Sequence, residues 1–225
     1  MTAEFVTSAA SVEDLPVDGL PELALVGRSN VGKSSLINAL TRQRLARTSG
    51  TPGKTRLANV YRVSRDAAKP FYLVDLPGYG YARGGAPAAR EFEALARQYF
   101  GRVTTADAIE RGGRLQPDLR VAALLLIDAR HPGLEQDLAA WEWLKAAVVD
   151  PAAVATKIDK LARGARSRAV ARWESVLEVP VLPVSATTGE GLKDLWTLID
   201  QLLNKRRPRP DNRPAKGTPR RPRNV

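Results

Sequence analysis

The octapeptide Gly27-Arg28-Ser29-Asn30-Val31-Gly32-Lys33-Ser34 constrains this chain more than any other feature. It follows the apolar run Leu23-Ala24-Leu25-Val26 and precedes Ser35-Leu36-Ile37-Asn38-Ala39-Leu40. Strand, glycine-bearing loop and helix, in that order, form the context of a phosphate-binding P-loop. Gly27 and Gly32 allow a tight turn that aims backbone N–H groups at phosphate oxygens. The helix starting near Lys33 adds the positive end of its dipole. Lys33 is placed to reach β- and γ-phosphates, and the Ser34 hydroxyl to ligate Mg²⁺. The ligand class is therefore a nucleoside triphosphate with Mg²⁺. The alternative, a chance match in a glycine-rich turn, does not account for the flanking strand and helix.

A P-loop alone does not choose the base. Phe71-Tyr72-Leu73-Val74 reads as a buried strand and ends in Asp75-Leu76-Pro77-Gly78. A carboxylate there can hold Mg²⁺ through water, and the Gly78 N–H can sense a γ-phosphate. Alone, Asp-x-x-Gly is a common turn; one hairpin beyond a P-loop it reads as a second metal motif. Ala152-Ala153-Val154-Ala155 then runs into Thr156-Lys157-Ile158-Asp159. Asp159 can accept two hydrogen bonds from guanine N1–H and its 2-amino group, while adenine would leave the carboxylate unpaired, a discrimination on the order of 10⁴. The Lys157 stem can lie over the base. Val181-Leu182-Pro183-Val184 leads to Ser185-Ala186, where a backbone N–H can meet guanine O6. In isolation, Thr-Lys-Ile-Asp is an exposed charged turn; its strand-end position, third after two phosphate motifs, favours the base-reading role.

Around these motifs strands alternate with amphipathic helices. Residues 22–27, 57–64, 70–75, 120–128, 151–157 and 180–185 read as strands, and 33–42, 87–100, 134–149, 164–177 and 191–204 as helices. The pattern predicts an α/β fold, a mostly parallel six-stranded sheet with helices on both faces and one antiparallel strand from a 57–75 hairpin. The motifs fall at strand C-terminal ends, where such sheets bind ligands. Residues 43–56, with Arg42, Arg44, Arg47, Lys54 and Arg56 in or beside them, read as a first switch, and 79–89 as a second. Residues 102–119 read as an irregular insertion without an assigned role. The expected organisation is an N-terminal extension over 1–20, a domain over 21–204 and a tail over 205–225.

The ordered set of 27–34, Thr51-Pro52-Gly53-Lys54-Thr55, 75–78, 156–159 and Ser185-Ala186 resembles the translation-factor-class GTPases. Gly-Arg-Ser-Asn-Val-Gly-Lys-Ser-Ser, Thr-Pro-Gly-Lys-Thr, Asp-Leu-Pro-Gly-Tyr-Gly-Tyr-Ala and Thr-Lys-Ile-Asp together resemble the EngB family, over about residues 5–204. The resemblance implies a P-loop G domain that binds GTP and GDP, hydrolyses GTP, and acts as a switch in large-ribosomal-subunit assembly, needed for normal cell division and septation. It implies phosphate contacts from Gly27, Arg28, Ser29, Asn30, Val31, Gly32, Lys33, Ser34 and Ser35. Gly53, Lys54, Thr55, Arg56 and Leu57 would form the first switch, and Asp75, Leu76, Pro77 and Gly78 the start of the second. Thr156, Lys157, Ile158 and Asp159, assisted by Val184, Ser185 and Ala186, would read guanine. Mg²⁺ would be held by Ser34, Thr55 and Asp75, and Lys33, Thr55 and Gly78 form the implied catalytic set.

Two positions depart from the wider class. Thr156 stands where most members carry Asn, a variation EngB-type proteins share. Tyr79 stands where Ras-like proteins carry a water-orienting Gln, so intrinsic hydrolysis is expected to be slow and to need a ribosomal partner. Asn30 occupies the position where K⁺-activated relatives hold a monovalent cation. Either K⁺ binds there or Asn30 only stabilises the loop.

Net charge separates the tail from the rest. Residues 205–225 carry nine Lys or Arg against Asp211, which is +8 of the chain's +11, and five prolines. Such a segment cannot bury a core. It suits the phosphate backbone of rRNA in the large subunit, with steep salt dependence; a merely solubilising role and an anionic membrane surface are the other readings. With 44% hydrophobic residues over the whole chain, and few of them in the tail, the remainder has ample core material. It contains no eighteen-residue apolar run and no cysteine. Without an export signal, the cytoplasm is the expected location, and a monomer the expected state. His131 reads as a loop residue. Asp128 ends a strand with no second general acid. Trp141 and Trp143 face different sides of one helix. Tyr79 and Tyr81 are the expected partner contacts of the second switch. The competing functional reading is a nucleotide-gated RNA-binding scaffold, or a division-machinery partner, with negligible intrinsic hydrolysis.

Overall fold

The computed structural model describes residues 1–47, 57–65, 68–79, 94–102, 120–148 and 151–204. Among the described residues there are seven strands: β1 Thr2–Ala9, β2 Glu22–Gly27, β3 Ala58–Arg65, β4 Ala68–Asp75, β5 Val121–Asp128, β6 Ala152–Thr156 and β7 Val181–Pro183. They form one sheet in the order β1-β3-β4-β2-β5-β6-β7. The β3 strand pairs antiparallel with both β1 and β4, whereas β4, β2, β5, β6 and β7 pair in parallel. Helices are α1 Lys33–Thr41, α2 over 94–101, α3 Glu135–Ala147, α4 Arg163–Leu177 and α5 Leu192–Asn204.

The central strands explain the layering. All six residues of β2 are buried, and β5 is buried from Ala122 to Asp128. Such runs need cover on both faces. Leu23, Leu25, Leu73, Leu124 and Leu126 pack with Leu36, Ile37 and Leu40 of α1 and Leu195, Ile199 and Leu203 of α5. Ala24, Val26, Val74, Leu125 and Ile127 point the other way, toward Tyr99, Trp141, Leu144 and Trp173 of α2, α3 and α4. Alternation along each strand thus divides the apolar residues between two cores. At the N-terminal end of β2, buried Glu22 accepts from Tyr99 Oη at 2.6 Å and Arg102 Nη2 at 2.7 Å, fastening α2 to the sheet. No helix among the described residues is long and apolar enough to cross a membrane.

The fold class agrees with the sequence reading; the strand count does not. The seventh strand is β1, inside the segment read as an extension. Its residues alternate poorly, since only Ala3 and Ala9 are buried, and both are too small to give a hydrophobic period. Pairing to β3 and an edge-to-face contact of Phe5 with Tyr61, centroids 5.9 Å apart, hold it as an edge strand. The expected helix over 87–100 is described only from 94. Residues 48–56 of the first switch, 80–89 of the second, 103–119 of the insertion and the 205–225 tail lie outside the described residues.

Candidate nucleotide site

Four loops leave the same edge of the sheet, after β2, β4, β6 and β7. After β2 the chain turns sharply. A Cβ at Gly27 would lie 2.8 Å from the Leu126 carbonyl and 2.9 Å from Val31 Cγ1. Asn30 and Gly32 adopt the left-handed conformation, φ 62° and 113°, and α1 starts at Lys33. Lys33 is 9% exposed and curls back so that Nζ donates to the Gly27 carbonyl at 3.3 Å. Ser34 is half-buried and Ser35 exposed. Ser35 and Ala186 line one open groove of about 410 Å³ with Asn38, Arg42 and Arg44, which brings α1 and the loop after β7 to a common surface.

Asp75, the last residue of β4, is 2% exposed, and its Oδ1 has no hydrogen-bond partner among the described residues. Burial pushes its carboxyl up to about 6, with the Lys33 charge opposing. The same burial lowers the Lys33 pKa, with the Asp75 charge opposing. An orphaned carboxylate oxygen beside a seryl hydroxyl loop is the donor chemistry a hard divalent cation takes, so Asp75 and Ser34 fit Mg²⁺. The other expected ligand, Thr55, lies outside the described residues, as do Gly53, Lys54 and Arg56. Leu57 precedes β3 at 38% exposure.

Beyond Asp75, buried Leu76 and Pro77 lead to Gly78, which packs on the P-loop. A Cβ there would meet Ser29 N, Cα and Oγ at 2.7–2.8 Å. Ser29 N–H donates to the Tyr79 carbonyl at 3.1 Å and Ser29 Oγ to the Gly78 carbonyl at 3.3 Å. Tyr79, expected as a partner contact of the second switch, is 8% exposed here, and its hydroxyl donates to Asp137 Oδ1 at 2.9 Å. That carboxylate also takes Arg28 Nε, 2.9 and 3.1 Å from its two oxygens. The apolar ring seeks the core once a buried acceptor is present for its hydroxyl. Tyr81 lies outside the described residues.

The loops after β6 and β7 are cross-wired. Thr156 Oγ1 lies 2.6 Å from the Val31 carbonyl and 3.0 Å from that of Ile127, so the threonine ties this loop to the P-loop. Lys157, at φ 60°, donates from Nζ to the Asn30 carbonyl at 2.5 Å and to Asp128 Oδ2 at 3.1 Å. Ile158 is buried, and its N–H donates to the Val184 carbonyl at 3.3 Å. Fully buried Ser185 donates to Asp159 Oδ1 at 2.7 Å, while its oxygen accepts the N–H groups of Thr187 and Thr188 at 3.2 and 3.0 Å. The Ser185 hydrogen bond holds the Asp159 carboxyl below its ordinary value.

Sequence reasoning noted Asp128 without giving it a role and passed over Asp137; both are carboxylates behind these loops. Asp128 accepts from the Arg130 N–H at 3.0 Å and from its guanidinium at 2.9 and 2.8 Å, besides Lys157. Burial opposes its ionisation, but the hydrogen bonds from Arg130 and Lys157 prevail and hold it well below the usual carboxylate range. The opposite charges two residues apart were a usable signal. Asp137 had none, because an acid in the first turn of a helix is ordinarily solvated. Of the two tryptophans, Trp141 is core, with Nε1 donating to the Leu177 carbonyl at 3.2 Å, and half-buried Trp143 meets Phe100 edge-on.

A P-loop, a strand-end Asp-x-x-Gly packed on it and a Lys–Asp loop braced by a buried serine, all on one edge of a mostly parallel sheet, define a P-loop GTPase-type protein. The family model described as a 50S ribosome-binding GTPase matches residues 22–157. A "Probable GTP-binding protein EngB" from Heliobacterium modesticaldum is 44% identical over 207 residues, covering 90% of this chain and 92% of that protein. The chain belongs to the EngB family of GTP-binding proteins. The solved structure of Aquifex aeolicus Era bound to GDP·AlF4⁻ shares the fold, with TM-score 0.66, 21% identity, and coverage of 85% of this chain and 60% of that one. A solved structure described as a probable GTP-binding protein EngB superposes with TM-score 0.59 at 20% identity, covering 82% of this chain and all of that one.

Proposed function

We propose that the protein is a Mg²⁺-dependent GTPase whose output is conformational, a switch acting in the assembly of the large ribosomal subunit on which normal division and septation depend. The observation that carries this reading is the convergence of Ser34, Asp75 and Gly78 with a pre-wired Asp159 on one sheet edge. Asp159 selects guanine. Lys33 leaves the Gly27 carbonyl for phosphate oxygens. Ser34, Asp75 and Thr55 would hold Mg²⁺, which when bound would supply positive charge beside the β- and γ-phosphates. Gly78 and Thr55 order the two switches when a γ-phosphate is present and relax after hydrolysis.

The partner is inferred from the family description and the basic tail, and the setting is the cytoplasm. Slow intrinsic turnover is supported by Tyr79, whose hydroxyl is engaged by Asp137. That same engagement favours the second reading, a nucleotide-gated RNA-binding scaffold with negligible hydrolysis. The exposed Asn30 leaves K⁺ activation open to a direct comparison of turnover in KCl and NaCl, where equal rates would exclude it. The deciding experiment is co-sedimentation with purified ribosomal subunits, with GDP or a non-hydrolysable GTP analogue at two salt concentrations, paired with turnover. Analogue-dependent binding to the large subunit with accelerated turnover is expected. Analogue-dependent binding without turnover would favour the scaffold, and equal binding in both states would remove the ribosomal switch.

A further inference from the structure

Asp137 is wholly buried, lies outside every nucleotide motif, and gathers partners from two of them. Burying a carboxylate is costly unless it is paired and hydrogen-bonded. Here Arg28 of the P-loop and Tyr79 of the second switch do both. Their side chains converge on α3, and their backbones lie side by side in a parallel bridge.

The geometry points to Asp137 as a positioning residue that fastens the start of the second switch onto the P-loop and so sets which nucleotide state the protein favours. The inference rests on the proposed role of Gly78 as the γ-phosphate sensor. In this arrangement the Gly78 and Tyr79 carbonyl oxygens face Ser29, and Gly78 sits within van der Waals contact of it. Carbonyl oxygens repel a phosphate, whereas a sensor must offer an N–H. Turning that N–H, which the adjoining 77–78 peptide carries, toward a phosphate would draw residues 78 and 79 off Ser29, a departure the Tyr79–Asp137 bond resists. The bond therefore stabilises the γ-phosphate-free setting selectively, and a ligand that favours the other setting works against it.

The test uses the full chain, fluorescent GDP and a fluorescent non-hydrolysable GTP analogue, with the variants Y79F and D137N. Y79F keeps the ring in the core and removes only the hydroxyl. The expected result is a roughly ten- to hundredfold shift of the affinity ratio toward the GTP analogue, the scale of one hydrogen bond to a charged group, with GDP affinity within about twofold of the parent. D137N weakens the same bond, leaving an uncharged acceptor, and also removes the Arg28 ion pair; it shifts the ratio the same way, and Y79F shifts the ratio less in the D137N background than it does alone. A merely structural role would weaken both nucleotides together. An unchanged ratio in Y79F, or parallel loss of both affinities, overturns the inference while leaving the GTPase reading intact. Should D137N fail to fold, Y79F decides alone. A parent protein that bound neither guanine nucleotide would instead overturn the functional reading, and this inference with it.

Discussion

Asp75 and Asp159 both stand where a parallel strand gives way to a loop on the same edge of the sheet, yet their surroundings have opposite character. Asp159 is braced by Ser185, and the loops about it are stitched to each other and to the P-loop through Thr156, Lys157 and Ile158. Asp75 is more deeply buried, keeps an oxygen without a partner, and shares its surroundings with a buried lysine. One carboxyl is held below its ordinary pKa by a hydrogen bond, and the other is pushed up to about 6 by burial. The candidate base half is thus pre-organised by the protein's own groups. In the candidate phosphate half those groups occupy one another, Lys33 with Gly27 and Ser29 with Gly78 and Tyr79. Under the proposed function, the contrast teaches that base specificity would be built in before the ligand arrives, with the response reserved for groups that exchange partners.

The largest expected effect comes from breaking the base half. Asp159→Asn converts an acceptor for guanine into a donor, so GTP affinity should fall by roughly 10³- to 10⁴-fold while xanthine nucleotides gain. Competition binding with both nucleotide series measures it, and Mg²⁺ dependence should be unaltered. Next in size is the acid response of Asp75. Its folded pKa is raised from 3.8 to about 6. Its contribution to stability is therefore fully present below pH 4 and is lost as pH rises through 6, a change of about 3 kcal/mol for two units. Urea unfolding of the nucleotide-free protein at pH 5 and pH 7 should show roughly half of that loss, the other half having gone between pH 4 and pH 5, and Asp75→Asn should flatten it. Asp159 has the opposite sign. Its folded pKa is depressed, so its contribution is present above the unfolded value and disappears only as pH falls below the usual carboxylate range.

Gly78→Ala sharpens the other side of the comparison. Its Cβ would press on Ser29 at 2.7–2.8 Å. Turnover should fall by about 10²-fold, the scale of losing one well-placed backbone donor, and GDP affinity should fall as well in equilibrium titrations, because the clash is with P-loop backbone in the γ-phosphate-free packing. The smallest effect is expected of Ser185→Ala, which strands the N–H groups of Thr187 and Thr188 and the Asp159 oxygen. A loss of about 1–3 kcal/mol in unfolding free energy, with GDP and GTP weakened equally, would show that the brace serves base binding rather than switching.

Periodicity and strand-end motifs made most of this architecture legible. The apolar runs of β2 and β5 and the helical patterns around them are local properties of the sequence. So was the P-loop, whose glycines and flanking elements occur within one short stretch. The edge strand β1 was not legible, because Ala3 and Ala9 carry too little apolar surface to stand out from Glu4, Phe5 and Val6. Thr156 read as a substitution at a base-contacting position, whereas its hydroxyl reaches a carbonyl 125 residues earlier in the chain. Asp137 was invisible for the same reason. Its partners are 109 and 58 residues away, and only the sheet order that sets α3 beside β2 and β4 brings them together.

Amide hydrogen exchange, comparing the GDP-bound protein with the protein bound to Mg²⁺ and a non-hydrolysable GTP analogue, tests the asymmetry most directly. The account predicts that exchange changes at 28–33 and 75–79 and stays the same at 156–159 and 184–186. Equal changes in both sets, or changes confined to the base loops, would contradict it.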